Sequence, residues 1–186
     1  GVGDRLGIAA PGHIRVFEAC DVTPVLAQQS MRELRFTKRT FADVIDAATF
    51  AVYRAGFRKG FGADGDHLKT FGDIAAALET GCTMITLDCS DHIHKDAANA
   101  PGIYGDAIVF AKRVYDAFFS GGRYDADLEI SIDETDAPTS PEQHRYIAEE
   151  LYARGVEVAT LAPRFCGEFQ KGIDYIGDLA QLEREI

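Results

Sequence analysis

Six short apolar runs punctuate the chain: RLGIAA (5–10), TPVLAQ (23–28), GFRKGFGA (56–63), CTMITL (82–87), DLEISI (127–132) and VEVATL (156–161). Amphipathic stretches separate them. TFADVIDAATFAVYRAG sets Phe41, Val44, Ile45, Ala48 and Val52 at helical spacing, and FGDIAAALETG ends on a glycine stop. DAIVFAKRVYDAFFSGG ends on two glycines. SPEQHRYIAEELYARG starts with Ser140 as N-cap and Pro141 in the first turn, and stops at Gly155. GIDYIGDLAQLEREI closes the chain. A repeated β-α rhythm at roughly thirty-residue spacing predicts parallel strands joined by crossover helices. The fold expected is α/β, as a doubly wound sheet or a (β/α)8 TIM-type barrel. The absence of a GxGxxG or GxxxxGK fingerprint weakens the nucleotide-binding sheet.

The polar clusters favour the barrel. AQQS follows the second run, GADGDHLK the third, DCSDHIHKD the fourth, DETDAPTS the fifth and APRFCGEFQK the sixth. In a barrel, loops after the strands converge on one face, where the active site lies. A full barrel needs about 250 residues, whereas these 186 residues supply about six β/α units. The chain opens at Gly1 already in strand-like sequence and ends in helical pattern. The expectation is therefore one domain over residues 1–186, an incomplete barrel cut from a longer protein. Its two open sheet edges would favour association of copies, so a homo-oligomer is among the expectations.

Charge narrows the partners. A formal net charge of −11 argues against nucleic acid, which requires clustered Lys and Arg. It leaves room for a small anionic substrate held by a few local cations. No apolar run is long enough to span a bilayer, and no secretion signal is visible. Cys20, Cys82, Cys89 and Cys166 are scattered without a CxxC pair, as expected of reduced thiols in a cytoplasmic protein.

Three acidic groupings carry the chemistry. Asp64, Asp66 and His67 lie in GADGDHLK; Asp88, Asp91, His92 and His94 in DCSDHIHKD; Asp133, Glu134 and Asp136 in DETD. Gathered on one rim they would repel one another unless protons or a cation intervene. A divalent metal is the simplest relief, and nitrogen and oxygen ligands suit Zn, Mn, Co, Ni or Fe. Some of these residues have simpler roles open to them. Asp and Ser cap helices, Gln28 and Gln29 can be a solvated strand end, and Arg164 can form a surface ion pair. Glu134 precedes the cap and suits acid or base work. Lys69 suits electrostatic neutralisation of an enolate oxygen, and Cys89 is expected to be a buried inert thiol.

The segments GDRLGIAAPGH, VLAQQSMREL, GFGADGDHLK, TLDCSDHIHKD and LAPRFCGEFQKGIDYIGDL together resemble the tagaturonate epimerase family of bacterial hexuronate catabolism. The similarity runs in order over nearly the whole chain. It implies a barrel, a divalent metal, longer relatives with chain on both sides, and a later His-bearing loop absent here. It also implies the interconversion of tagaturonate and fructuronate, keto-sugar acids that differ at one carbon. That carbon is β to the ketone, so its hydrogen is not appreciably acidified, and retro-aldol cleavage with re-addition is the expected route. By analogy of mechanism, metal-dependent aldolases place an adjacent Asp and His at a barrel strand end. On this basis His67 is expected as a metal ligand with His92 as a second. Asp66, Asp88 or Glu134 would be the acid/base, and Gln28, Lys69 and Arg164 would hold hydroxyls and carboxylate. A metal-dependent aldolase, a ketose isomerase and a non-catalytic sugar-acid binding domain are the rival readings.

Overall fold

In the computed structural model, residues 1–170 and 172–186 are described; Lys171, inside one of the motifs above, lies outside them. The fold is α/β, with five strands in one sheet in chain order: β1 (Val25–Ser30), β2 (Gly62–Leu68), β3 (Met84–Asp88), β4 (Asp127–Ser131) and β5 (Thr160–Ala162). The β1–β2, β2–β3 and β4–β5 pairs are parallel. Seven helices are present among the described residues: α1 (Ala10–Glu18), α2 (Met31–Thr37), α3 (Phe41–Ala55), α4 (Phe71–Thr80), α5 (Ala100–Phe118), α6 (Pro141–Ala153) and α7 (Leu179–Glu185). None is long and apolar enough to cross a membrane.

The chain divides into two compact units, one formed by Gly1–Leu87 with Phe118–Leu128, the other by Asp88–Ala117 with Glu129–Ile186. In the first, Ile14, Leu34, Val44, Ala48, Ile74 and Leu78 bury the inner faces of α1 to α4. Gly65 marks a close approach: a Cβ there would stand 2.9 Å from Leu68 Cδ1, 3.0 Å from Ala77 Cβ and 3.1 Å from Ile85 Cδ1. Only glycine lets α4 seat so closely on β2 and β3. The start of β4 joins this unit through the Asp127 N–H, which donates to the Thr83 carbonyl at 2.9 Å. In the second unit Ala111, Val114, Ile130, Ile132, Ile147 and Leu151 form the core. There the Cys89 N–H donates to the Ser131 carbonyl at 3.1 Å.

Caps explain why the helices start where they do. Thr40 and Ser140 each accept from the backbone three residues on, and Asp43 and Gln143 answer in reciprocal boxes. Ser30 and Glu33 do the same for α2, which the apolar pattern did not reveal. Gly56, Gly81 and Gly155 follow α3, α4 and α6 with positive φ, as their place in the sequence predicts.

Two expectations are corrected. RLGIAA is not a strand; the chain turns there and enters α1. The Asp4 carboxylate, buried, accepts from the N–H groups of Ile8 (3.1 Å), Ala9 (2.7 Å) and Ala10 (3.0 Å), and those donors bend the segment into a helix start. The strand count falls from six to five accordingly. The third run is also displaced: β2 begins only at Gly62, so GADGDHL is the strand and not the loop after it.

Burial alone would push the Asp4 carboxyl up, but the amides of Ala10, Ile8, Ala9 and Gly7 together hold it below its ordinary value. Because the folded value is depressed, its contribution is present above the unfolded pKa and fades as pH falls through the folded one. Asp4→Ala is expected to cost about 1–2 kcal/mol at neutral pH. In urea titrations the gap to the wild type should shrink below about pH 4.

Candidate functional site

The first unit holds a polar face built on three strands. Gln28 stands opposite Asp64 in the β1–β2 register. Its Nε2 donates to Asp64 Oδ2 at 3.1 Å. From β3, Thr86 Oγ1 donates to the same carboxylate at 3.1 and 3.3 Å. Asp64 is 2 % exposed and Thr86 also 2 %, so this network is internal, while Gln28 is half-buried. Side chains alternate along a strand. Asp66 therefore shares the face of Asp64, and Gln29 takes the other. Gln29 is fully buried, and neither atom of its amide has a hydrogen-bond partner among the described residues.

At the end of β2 the geometry becomes unusual. Between Gly65 and Leu68 the strand advances three residues while β3 advances two, from Ile85 to Leu87. This is a bulge, uncommon in parallel pairs and frequent beside functional sites. His67 absorbs it with φ +54°. The only other non-glycine residue with positive φ among the described residues is Lys38, an ordinary left-handed helix terminus. A β-strand histidine held there is strained, and such strain concentrates where a side chain must be aimed. The His67 Nδ1 lies 2.8 Å from Asp66 Oδ1. With the proton on Nδ1, directed at the carboxylate, Nε2 is the basic nitrogen. Both side chains are partly exposed, at 22 % for Asp66 and 34 % for His67, unlike Asp64 below them. Lys69 follows, half-buried, just before the Thr70 cap of α4.

The second unit contains the other expected residues. Asp88, buried, accepts from the Ser90 N–H at 2.9 Å, where the chain leaves β3 for the short 3-10 turn Ser90–His92. His92 stacks on Phe110, with ring centroids 4.2 Å apart. Glu134 is exposed. Its neighbour Asp133 is half-buried and accepts from the Ser131 hydroxyl. Arg164 Nη1 donates to the Thr135 carbonyl, and its N–H donates to Thr139 Oγ1 at 3.2 Å, tying β5 to the loop after β4. Arg164 also lines a concavity of about 540 Å³ with Asp133, Phe165, Glu168 and Gln170. Lys95 pairs with Asp136 at 2.7 Å and draws its carboxyl below the ordinary value.

Within the units, then, Gln28 meets Asp64 and Asp66 meets His67. Sequence reasoning gave Asp64 and Thr86 no individual role. The period-2 pattern of GADGDHL, read as a strand, would have set Asp64 beneath Asp66. No group of three His, Cys, Asp or Glu residues able to hold a metal ion occurs among the described residues.

Comparison with known proteins gives this architecture a context. The UxaE family, described as tagaturonate epimerase, matches residues 1–102 and 96–186. A tagaturonate/fructuronate epimerase of Thermotoga maritima is 40 % identical, over all of this chain and 47 % of its own length. The glycerol-complexed crystal structure of fructuronate-tagaturonate epimerase UxaE from Cohnella laeviribosi is 41 % identical with a TM-score of 0.94. It is matched over 98 % of this chain and 47 % of that one. The YdjI aldolase of Escherichia coli K12 shares the fold at 15 % identity, with a TM-score of 0.63, over 90 % of this chain and 55 % of its own. The chain thus spans about half the length of the epimerases it matches.

The strained histidine and the buried thiols each yield an expectation. His67→Gly should unfold at higher denaturant than His67→Ala, by about 1–2 kcal/mol, because only glycine occupies positive φ without a Cβ penalty. Equal midpoints would show the residue to be unstrained. Burial, reinforced by the Asp64 charge, pushes the Cys82 thiol up to about 12. Burial, with the Asp88 charge, does the same to Cys89, also to about 12. Cys20 alone of the four cysteines is exposed. Titration of the native protein with an aromatic disulfide at pH 8 should release one equivalent rapidly and the others only on unfolding.

Proposed function

Because the chain belongs to the tagaturonate epimerase family, we propose that the protein it represents interconverts tagaturonate and fructuronate by retro-aldol cleavage and re-addition. The observation that carries the chemical part is the Asp66–His67 pair, aimed by a bulge at the accessible end of β2. Asp66, partly exposed and linked to an imidazole, is the acid/base of this reading. Numbering from the substrate carboxylate, Asp66 takes the proton of the C3 hydroxyl. The C3–C4 bond breaks, its electron pair passing into an enediolate conjugated with the C5 ketone oxygen. The aldehyde half turns over, C4 attacks the other face of C3, and Asp66 returns the proton to the new alkoxide. No atom or electron is gained or lost, and no hydrogen on carbon exchanges with solvent.

The same reading takes the five-stranded sheet as part of a (β/α)8 barrel completed by further chain. Asp88 and Glu134 are the other acid/base candidates, with Gln28, Lys69 and Arg164 contacting the substrate. A divalent ion, with His67 and His92 as ligands, belongs to it as a proposal for the whole protein. The described residues do not fit a complete metal site, so no step above depends on one. The substrate is a small keto-sugar acid, and a homo-oligomer in the cytoplasm remains part of the reading.

The test is NMR of the full-length protein with tagaturonate in heavy water. Fructuronate without deuterium on carbon is expected, and Asp66→Asn should slow its formation by about 10²–10⁴-fold. Carbon-bound deuterium would replace the route with an enediol proton transfer. Free aldehyde would make the protein an aldolase, and absence of conversion would remove the substrate assignment.

A further inference from the structure

Of the segment that follows β5, only Arg164 has a part in the proposed chemistry. The rest of it is closely built. It has two arms, residues 164–170 and 172–178. The Glu168 N–H donates to the Ile176 carbonyl at 2.8 Å and the Ile176 N–H to the Glu168 carbonyl at 3.2 Å, an antiparallel bridge between them. Tyr175 ties the arms a second time. Its hydroxyl donates to the Cys166 carbonyl at 3.0 Å, with the Asp178 carbonyl at 3.5 Å and Cys166 Sγ at 3.6 Å beside it. A hydroxyl has one proton to give, and the nearest carbonyl takes it. A Cβ on Gly167 or on Gly177 would stand 2.4 Å from the same oxygen, closer than packed atoms come. Glycine at both positions is what admits the tyrosine. Cys166 is buried, and its N–H donates to Glu185 Oε2 of α7 at 3.1 Å. The Tyr175 ring lies against Phe169, with centroids 5.0 Å apart.

The first arm, held in this way, lines the concavity of about 540 Å³ that contains Asp133 and Arg164. Tyr175 itself does not line it. The lining residues follow β4 and β5, and in open α/β sheets ligands bind outside the carboxyl ends of strands. The guanidinium of Arg164 makes one hydrogen bond among the described residues, from Nη1 to the Thr135 carbonyl. Its other N–H groups are donors for a ligand. Asp133, Glu168 and Gln170 add acceptors to the same hollow. That mixture complements a polyhydroxy acid, whose carboxylate accepts and whose hydroxyls donate.

We propose that Tyr175 is a positioning residue: its hydroxyl clamps residues 165–170 as a fixed wall of the Arg164 concavity, so that wall and guanidinium hold the sugar acid together. The identity of the ligand rests on the epimerase reading. The clamp serves binding and not bond breaking, because Tyr175 stands outside the hollow. A wall fixed before the ligand arrives spares the ordering that a loose one would undergo on binding.

The test removes one oxygen. Tyr175→Phe loses the hydroxyl and keeps the ring against Phe169. Full-length wild type and variant are compared by thermal melts, by initial rates with tagaturonate, and by amide hydrogen exchange over residues 165–170 with and without saturating tagaturonate. Tyr175→Phe should raise KM roughly three- to tenfold while kcat stays within about twofold. Exchange over residues 165–170 should quicken by about fivefold in the free variant. In wild type, tagaturonate should slow it by a similar factor. A folded Tyr175→Phe variant with wild-type KM overturns the proposal, and so does a loss confined to kcat. If the variant fails to fold, the wild-type exchange decides: residues 165–170 left unprotected by tagaturonate overturn it. Wild type that binds tagaturonate without converting it sinks the epimerase reading, and Kd by calorimetry then replaces KM in the comparison. Wild type that does not bind tagaturonate overturns both.

Discussion

The seating of α4 on Gly65 determines the character of β2. With Ala77, Leu68 and Ile85 crowding that one position, the face of the strand that carries Gly65 must be small and apolar. Alternation then sends Asp64 and Asp66 to the opposite face, where their neighbours are Gln28 and Thr86 and not the helix layer. A larger residue at 65 would force α4 outward and with it the register on which the polar face depends. The packing on one side of the strand and the chemistry on the other are thus one constraint.

The bulge that follows solves a different problem. A regular strand would return residue 67 to the apolar side, beneath α4. One extra residue relative to β3 keeps His67 from being buried there and brings its ring within 2.8 Å of the Asp66 carboxylate. The left-handed backbone of His67 is the conformational cost. The gradient along β2 runs from an interior Asp64 to a partly exposed Asp66 and His67.

Much of this was legible in the sequence, though unevenly. The helices with strong local signals, those begun by Thr40, Thr70 and Ser140 and ended by Gly56, Gly81 and Gly155, appear where caps and period place them. RLGIAA misleads because a short apolar run does not reveal its period, and the carboxylate that turns it into a helix start acts across several residues. The place of β2 is hard to read because Asp and Gly are poor strand formers and a neighbouring strand overrides that preference. The Ser30–Glu33 capping box of α2 is a local signal too, but it heads a helix of only seven residues with little apolar period to confirm it. For the site, adjacency makes Asp66 and His67 conspicuous. Asp64 is not, since its partners Gln28 and Thr86 lie thirty-six residues before it and twenty-two after.

The extra residue in β2 has a mechanical meaning as well. A ladder that skips a position lacks one of the evenly spaced links that make parallel strands move together. On the β3 side Asp66 and His67 fall between the paired positions Gly65 and Leu68, while on the β1 side Asp66 still stands opposite Ser30. Asp64, below that point, is hydrogen-bonded from both neighbouring strands. One strand therefore carries an interior carboxylate hydrogen-bonded to both neighbouring strands and, above it, a pair set where its ladder to β3 is irregular.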